Sequence, residues 1–403
     1  MVLRDGSQRW FSEMVLRKDG MCMSMLTVPL TQPFLALEQD LNARHLERPA
    51  VIRSLLVGLL ARQHVVLLGP PGTGKSRLVR DLCQHIGGQF FEWQLTRLST
   101  PEELFGPISL QGLQQDHYRR IATGKLPEAE IAYLDETFKA SSAILNTLLA
   151  AMNERVFYND GQAVPMPLHM LVGASNELPE DREELGALWD RFLLRHVVDY
   201  LKDPASFTTL LSQPAALPPL TPLPPQTVQA AQQAVTTVDV TAVLPVFGAL
   251  RTALAQQGLT VSDRRWRQSI AVVQAQAWLN GHAAAETSDL LILQHVLWEE
   301  PDQRLAVAKA VLTLISPFDQ EAQDILDDAK DAYLKALATP EGEERNMAGL
   351  AANKSLQSAA KLLSAVVKKA QDAGRPSQRA QEGLTQLQTW GDEILKQCLK
   401  ISF

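Results

Sequence analysis

Short apolar runs and longer amphipathic stretches alternate along residues 34–212. The short runs are rich in β-branched or aromatic residues and stop at glycine or at polar residues, which is typical of buried parallel strands. They read VVLLG (65–69), QFFEWQL (89–95), IAYLDE (131–136) and HMLVGASN (169–176). The stretches between them include SRLVRDLCQHIG, a helical pattern with a glycine stop. Strands that alternate with helices predict an α/β fold with a parallel sheet.

Two segments interrupt this alternation. Residues 106–127 (GPISLQGLQQDHYRRIATGKLP) predict an insertion exposed to solvent. Residues 154–168 hold an N-D-G turn between β-prone runs, which predicts a hairpin. Before the first strand, residues 34–62 predict helices, with Pro49 at a first-turn position.

The second half of the chain has a helical pattern. Residues 213–226 (QPAALPPLTPLPPQ) contain six prolines and predict a semi-rigid linker after a core of residues 31–212. Residues 227–300 predict a compact helical domain, and residues 301–403 predict long helices with charged outer faces. Apolar residues recur there at helical spacing, namely Leu356, Leu363, Val366 and Ala370, then Leu384, Leu387, Ile394 and Cys398. An antiparallel hairpin or a three-helix bundle would bury these stripes.

Composition and charge narrow the class of protein. The formal net charge of −7 gives no broad attraction to nucleic acid or to an anionic membrane. No apolar stretch reaches the roughly 20 residues that cross a bilayer. The three cysteines, Cys22, Cys83 and Cys398, are isolated, which indicates a reducing, cytoplasmic compartment. We expect residues 1–30 to form a flexible leader, with no function in residues 1–25.

The run VVLLG leads directly into GPPGTGKS (69–76), which matches the phosphate-binding pattern G-x-x-x-x-G-K-[ST] in full. Its glycines allow backbone N–H groups to curl around the β- and γ-phosphates of a nucleotide, Lys75 adds a positive charge, and the Ser76 hydroxyl can ligate Mg²⁺. The candidate nucleotide-binding residues are Gly69, Pro70, Pro71, Gly72, Thr73, Gly74, Lys75 and Ser76. A kinase, a transporter motor, a helicase and a protein remodeller could all use this pattern.

Two acids end the strand-like run IAYLDE. Asp135 would hold the Mg²⁺ through its water shell, and Glu136 would polarise the water that attacks the γ-phosphate. A small-molecule kinase has to exclude water from this phosphate, whereas a hydrolytic motor has to orient it. The acidic pair therefore favours ATP hydrolysis over phosphoryl transfer to another substrate.

Three further positions are candidates for the same site. Asn176 follows the next strand, at the sheet edge where ligands bind in open α/β folds, and its amide could hold the attacking water. ALWDRFLLRH contains Arg191 and Arg195, and VSDRRWRQ contains Arg264 at the predicted start of a helix. A guanidinium suits the charge that spreads over a transferring phosphoryl group.

With these residues in view, the chain resembles the AAA+ ATPases of the MoxR group, and within them the RavA branch. The segments that carry the resemblance are TRLSTPEELFGPISL, GKLPEAEIAYLDE, SAILNTLLAAMNER, ASNELPE and VSDRRW, within residues 40–300. The group often continues its acidic pair as DEINR, where this chain has DETFKA. That departure leaves the two acids in place and puts in doubt the coupling between the site and the helix that follows.

The resemblance implies an AAA+ sheet with helices on both faces, a small helical lid, and a hexameric ring that binds ATP between subunits. It places Lys75 and Ser76 in the Walker A motif and Asp135 and Glu136 in Walker B. It also makes Asn176 sensor 1, Arg264 sensor 2, Arg191 the arginine finger with Arg195 in reserve, and Leu46 the residue that packs against adenine. The two interrupting segments would face the pore or a partner, and the group works with von Willebrand factor A (VWA) proteins.

Three functions remain open from the sequence. The leading one is a chaperone-like ATPase motor that remodels or matures a client complex. The second is a nucleotide-switched scaffold whose ATP-bound ring docks a partner, with slow hydrolysis as a timer and the C-terminal helices as the docking site. A nucleic-acid motor ranks last, because the insertion offers only a few basic residues in an acidic chain.

Overall fold

The computed structural model describes residues 22–178, 182–212, 222–315, 317–340, 342–372 and 377–399. Most of the predicted linker and of the predicted leader lies outside the described residues. Within the expected leader, a helix already begins at Cys22.

The described chain has seven strands. They are β1 (His64–Leu68), β2 (Phe90–Gln94), β3 (Ile131–Asp135), β4 (Val156–Asn159), β5 (Gln162–Pro165), β6 (Met170–Ser175) and β7 (Phe192–Val197). Five of them form one sheet in the order β2-β3-β6-β1-β7, and every pairing in it is parallel. The other two, β4 and β5, form the predicted antiparallel hairpin. The four sheet strands expected from the apolar runs are confirmed.

The fifth sheet strand, β7, escaped the sequence analysis because FLLRHV carries two polar residues. In the structure both of them, Arg195 and His196, are buried. The Arg195 guanidinium lies 4.2 Å from the centre of the Trp189 ring and donates hydrogen bonds to the carbonyls of Phe192 and Trp189. Carbonyl acceptors and an aromatic face make this burial tolerable for a charged side chain.

Helices pack on this sheet and continue beyond it. The α-helices up to residue 235 are α1 (Cys22–Arg44), α2 (Pro49–Leu60), α3 (Lys75–Ile86), α4 (Pro101–Phe105), α5 (Leu110–Leu113), α6 (Ser142–Glu154), α7 (Arg182–Arg191), α8 (Pro204–Ser212) and α9 (Pro225–Val235). Those that follow are α10 (Leu244–Gln256), α11 (Asp263–Leu279), α12 (Arg304–Ile315), α13 (Pro317–Ala338), α14 (Glu343–Asp372) and α15 (Gln378–Gln397). Short 3₁₀ helices cover Leu126–Glu128, Thr137–Lys139, Thr241–Val243, Thr287–His295 and Pro301–Gln303.

The chain divides into two compact units. The first comprises Met1–Thr241 together with Arg264–Ala285, so it holds the sheet and α11. The second comprises Ala242–Asp263 and Glu286–Phe403. None of the helices in the described part of the chain is long and apolar enough to cross a membrane.

Within the second unit, α13, α14 and α15 form a bundle around one apolar core. Its interior contains the predicted stripe residues. The buried ones are Leu356, Leu363, Val366 and Ala370 of α14, Leu387 and Ile394 of α15, and Cys398 directly after α15. Leu384 packs against the same core and is partly buried. The helical spacing therefore predicted the faces that meet, and the three-helix alternative is the correct one.

Candidate nucleotide site

The phosphate loop joins β1 to α3 and carries glycines with left-handed backbone conformations. Gly72 and Gly74 have φ of 81° and 82°, and a Cβ built on either would meet nothing within 4 Å. The loop therefore offers open, backbone-lined space directly before the first residue of α3, Lys75. A helix N-terminus of this kind attracts phosphate through its N–H groups and its dipole.

Gly69 is required for a different reason. A Cβ at this position would lie 2.1 Å from the carbonyl oxygen of Val198, which follows β7. The same stretch is fixed by backbone bonds, because Val198 N–H donates to the Leu68 carbonyl at 2.7 Å and Gly69 N–H donates to the Ser175 carbonyl at 3.0 Å. The first glycine of the motif thus allows the loop to leave the sheet between two neighbouring strand ends.

Lys75, Asn176 and Glu136 lie together at the carboxyl ends of the strands. The Lys75 ammonium donates to the carbonyls of Gly69 and Pro70 at 2.6 and 3.0 Å, and it lies 3.5 Å from Asn176 Oδ1. Asn176 Nδ2 donates to Glu136 Oε1 at 2.8 Å. Burial lowers the pKa of Lys75, and the carboxylates of Asp135 and Glu136 oppose that shift. The parallel register explains the cluster, since it brings the ends of β1, β3 and β6 to one edge.

The two predicted metal ligands supply oxygen atoms, which suit Mg²⁺. Asp135 is the last residue of β3, and its Oδ1 accepts a hydrogen bond from the Glu136 N–H at 3.0 Å. The Ser76 side chain is hydrogen-bonded to the Tyr133 hydroxyl, and burial with the nearby Asp135 charge raises the pKa of that tyrosine. The phosphate loop and this donor set fit a nucleotide bound with magnesium.

A cavity of about 420 Å³ opens beside the phosphate loop. Its lining includes Gly72, Thr73, Gly74, Lys75 and the predicted adenine-packing residue Leu46. One part of the wall is apolar and another is cationic. The apolar residues are Leu46, Leu67, Leu78, Val198, Leu201, Phe207 and Leu210, and the arginines are Arg44, Arg48 and Arg77. An apolar pocket continuous with several cations suits a base joined to a polyphosphate.

Sequence reasoning missed the outer wall of this cavity, which comes from the segment after β7. Tyr200 and Phe207 both line it, and the Tyr200 hydroxyl donates to the Pro71 carbonyl at 3.3 Å. The helix α8 that carries Phe207 had a readable start signal. Asp203 precedes Pro204, and its carboxylate accepts from the Ser206 N–H at 2.9 Å as an N-cap does.

Arg191 and Arg264 lie together and apart from the Lys75 cluster. Arg264 pairs with Asp190 Oδ2 at 3.1 Å, and the Arg191 guanidinium lies 3.9 Å from the same oxygen. Arg191 also donates to Asn153 Oδ1, and burial and then Arg264 lower its pKa. Among the described residues, neither arginine lines the cavity beside the phosphate loop or a second cavity at Glu136. Asp190, which the sequence analysis did not select, is the carboxylate that both arginines share.

The reserve arginine-finger candidate is wrong. Arg195 is fully buried in β7 under Trp189, so it cannot reach a neighbouring molecule. Arg265, next to Arg264, is also fully buried and donates to the carbonyls of Leu193 and Phe192 at 2.9 and 3.1 Å, so it ties α11 to β7.

The insertion and the hairpin, which the sequence placed in separate segments, bind each other. Asp160 at the hairpin turn accepts from His117 Nδ1 at 2.8 Å and from the Tyr118 N–H at 2.9 Å. Asn159 exchanges two hydrogen bonds with the Arg120 backbone, at 2.7 and 3.2 Å. Exposed apolar side chains occur on both segments, namely Leu110, Leu113, Tyr118, Ile121, Tyr158 and Val164.

Comparison with known families places the chain. A family model described as the MoxR domain in the MoxR-vWA-beta-propeller ternary systems matches residues 34–222, and an AAA lid domain model matches residues 242–311. The chain belongs to the MoxR family of AAA+ ATPases. Its phosphate loop and acidic pair therefore belong to a family of nucleotide-dependent proteins. The match to the lid model, at residues 242–311, begins and ends later in the chain than the helical lid expected at 227–300.

Individual relatives agree with this placement. An uncharacterized protein of Methanocaldococcus jannaschii, MJ0079, is 38% identical over 295 residues, which cover 73% of this MoxR chain and 77% of that protein. The chaperone MoxR1 of Mycobacterium tuberculosis is 32% identical over 156 residues, 37% of this chain and 40% of that one. A solved structure of a candidate ATPase from Cytophaga hutchinsonii shares the fold, with a TM-score of 0.59 at 17% identity over 72% of this chain and 95% of its own.

Proposed function

We propose that this chain is an ATP-hydrolysing ring motor of the MoxR type, closest to the RavA branch, that remodels or matures a protein complex in the cytoplasm. The observation that carries the proposal is the hydrogen-bonded series from Lys75 through Asn176 to Glu136. It joins a phosphate-binding cation to a carboxylate that can accept a proton. In this assignment Glu136 orients and deprotonates the attacking water, and Asn176 holds the same region from the β6 side.

Bound Mg²⁺ would neutralise charge on the β- and γ-phosphates. Ser76 and Asp135 would hold it, the first directly and the second through water. Lys75 would move from the loop carbonyls to the phosphate oxygens, which are stronger acceptors for an ammonium group. Leu46, Tyr200 and Phe207 would enclose the base.

We assign Arg191 and Arg264 to the nucleotide of an adjacent subunit. They share Asp190 and lie apart from the chain's own Lys75, so they could act together on one external phosphoryl group. This assignment requires a ring, which we expect to be hexameric. The family description also names vWA systems, and a VWA-domain protein is the partner that we propose.

The catalytic assignment is tested by steady-state ATP hydrolysis of Glu136→Gln and Arg191→Ala. Each change should lower turnover by at least about 100-fold while ATP binding persists, because a general base and a finger arginine contribute at least that much. Glu321→Gln, an exposed glutamate of α13, is the matched control and should turn over normally. Wild-type turnover in both site variants would contradict the assignment.

Mixing the two inactive variants tests the shared site. A Glu136→Gln subunit keeps its Arg191, and an Arg191→Ala subunit keeps its Glu136. Where the first supplies the arginine to the site of the second, that site has both catalytic residues. Turnover should therefore reappear in the mixture. If the mixture stays as inactive as its components, Arg191 does not act across an interface.

The nucleotide-switched scaffold remains the second candidate, because the C-terminal bundle carries a groove of about 380 Å³ between α14 and α15. Capture of a purified VWA-domain partner in ATP and in ADP separates the two. A scaffold captures its partner in one nucleotide state and needs no turnover. A remodeller needs wild-type hydrolysis, so its Glu136→Gln variant loses function. Removal of residues 321–403 should abolish capture and leave hydrolysis largely intact if the bundle docks the partner.

A further inference from the structure

The segment DETFKA departs from the pattern usual in the group, and the structure gives it a form that the catalytic assignment does not use. Glu136 has a left-handed backbone, with φ 51° and ψ 42°, which is uncommon for a residue other than glycine. This conformation starts the 3₁₀ turn Thr137–Lys139, and the Lys139 N–H donates to the Glu136 carbonyl at 2.9 Å. The turn therefore brings the Lys139 side chain back over the Glu136 carboxylate.

The body of this turn is anchored in the protein. Thr137 is fully buried, and its hydroxyl donates to the Leu134 carbonyl at 2.7 Å. Phe138 packs edge-on against Trp189 and Phe192, with ring centres 5.6 and 6.2 Å apart. A strained backbone persists only where its surroundings fix it, and these contacts do so. The position of Lys139 relative to Glu136 is thus set by the fold.

Each oxygen of the Glu136 carboxylate has its own partner. Asn176 Nδ2 donates to Oε1 at 2.8 Å, and the Lys139 ammonium lies 3.2 Å from Oε2. Both partners and the carboxylate line the second cavity, of about 300 Å³, together with Arg97. A single partner would leave the carboxylate plane free to rotate, whereas a hydrogen bond on one oxygen and an ion pair on the other restrain it.

We propose that Lys139 is a positioning residue for hydrolysis, which together with Asn176 holds the Glu136 carboxylate in the orientation that activates water. The inference rests on the proposed function, because it gives Glu136 the role of base. Lys139 is half exposed, so the pair contributes little to folding. Its contribution lies in orientation, to which general-base catalysis is sensitive.

The test is the split between kcat and KM for ATP in Lys139→Met, which keeps the length of the side chain and removes its charge. We expect kcat to fall about tenfold with KM changed by less than about twofold. Lys139→Arg, which keeps the positive charge that pairs with Oε2, should recover most of the loss. Lys369→Ala is the matched control, because it removes another exposed lysine that pairs with a glutamate, Glu321, at 2.9 Å in the bundle.

The outcomes separate this proposal from the one on which it rests. Wild-type turnover in Glu136→Gln would overturn the proposed function. Loss of turnover in Glu136→Gln with wild-type kcat in Lys139→Met would overturn only the role of Lys139. A fall in ATP affinity that matches the fall in kcat, or a loss that Lys139→Arg fails to recover, would also overturn it.

Discussion

The first unit and the C-terminal bundle differ in their backbone conformations and in the side chains that they bury. Positive φ at residues other than glycine occurs six times in the described chain, always in the first unit, at Glu47, Arg62, Asp116, Glu136, Arg155 and Asp160. Fully or nearly buried polar groups, such as Lys75, His64 and Arg195, also concentrate there. In the described part of the bundle, α13–α15, the buried side chains are apolar apart from Ser377.

The difference follows from what each region has to do. A site that binds phosphate and orients water has to keep charged groups partly buried and one turn in an unfavourable backbone conformation. The packing of the surrounding sheet holds them there. A bundle that buries leucine and alanine stripes has no such conflict, so local propensity and packing agree. The same kind of substitution should therefore have opposite consequences in the two regions.

Glycine substitutions give the largest contrast. Gly69→Ala should destabilise the first unit by about 4–6 kcal/mol, because the Cβ would meet the Val198 carbonyl at 2.1 Å in a backbone with φ of 150°. Gly391→Ala in α15 meets nothing within 4 Å and should stabilise the bundle by about 0.5–1 kcal/mol. Thermal unfolding of both variants measures these two changes in stability relative to the wild type. Equal melting temperatures would show that the phosphate loop relaxes freely.

A core truncation in the bundle should uncouple stability from turnover. Leu363 is fully buried, so Leu363→Ala should destabilise the bundle by about 3 kcal/mol and leave kcat for ATP unchanged. The adjacent Leu362 is 56% exposed, and Leu362→Ala is the matched control with little effect on either quantity. Hydrogen exchange shows which part of the chain loses stability, and an ATPase assay measures kcat. A fall in kcat with Leu363→Ala alone would mean that the bundle supports catalysis.

Mild acid should weaken the first unit before the bundle. Burial lowers the pKa of His169 to about 4 and that of His64 well below its ordinary 6.5. The unfolded chain takes up these protons below pH 6.5 and the folded chain does not, so their stabilisation is complete above pH 6.5 and is lost progressively toward pH 4. The chain has no histidine after His295. Hydrogen exchange at pH 6.5 and 5, corrected for intrinsic rates, should show faster opening in the first unit than in the bundle; equal acceleration in the bundle would contradict this.

Much of the site was readable before the structure. The phosphate loop, Glu136 and Asn176 each follow a strand directly, and Asp135 is the last residue of one. Parallel strands bring such ends to one edge of the sheet. Leu46, which the resemblance placed against adenine, lines the cavity beside the phosphate loop. Arg195 was misplaced, because an arginine in a polar-looking segment gives no local sign that an aromatic ring and two carbonyls bury it.

The sequence by itself determined the strand-and-helix alternation, the phosphate-binding loop, the acidic pair and the apolar faces of the bundle. All of these depend on neighbouring residues or on a fixed periodicity. Only the tertiary structure decided that Asp190 joins Arg191 to Arg264, that Tyr200 and Phe207 close the cavity, and that Lys139 returns to Glu136. Except for the turn to Lys139 and the neighbouring pair Asp190–Arg191 in α7, these contacts join residues on different elements. Chain folding alone sets such distances, so no local pattern could encode them.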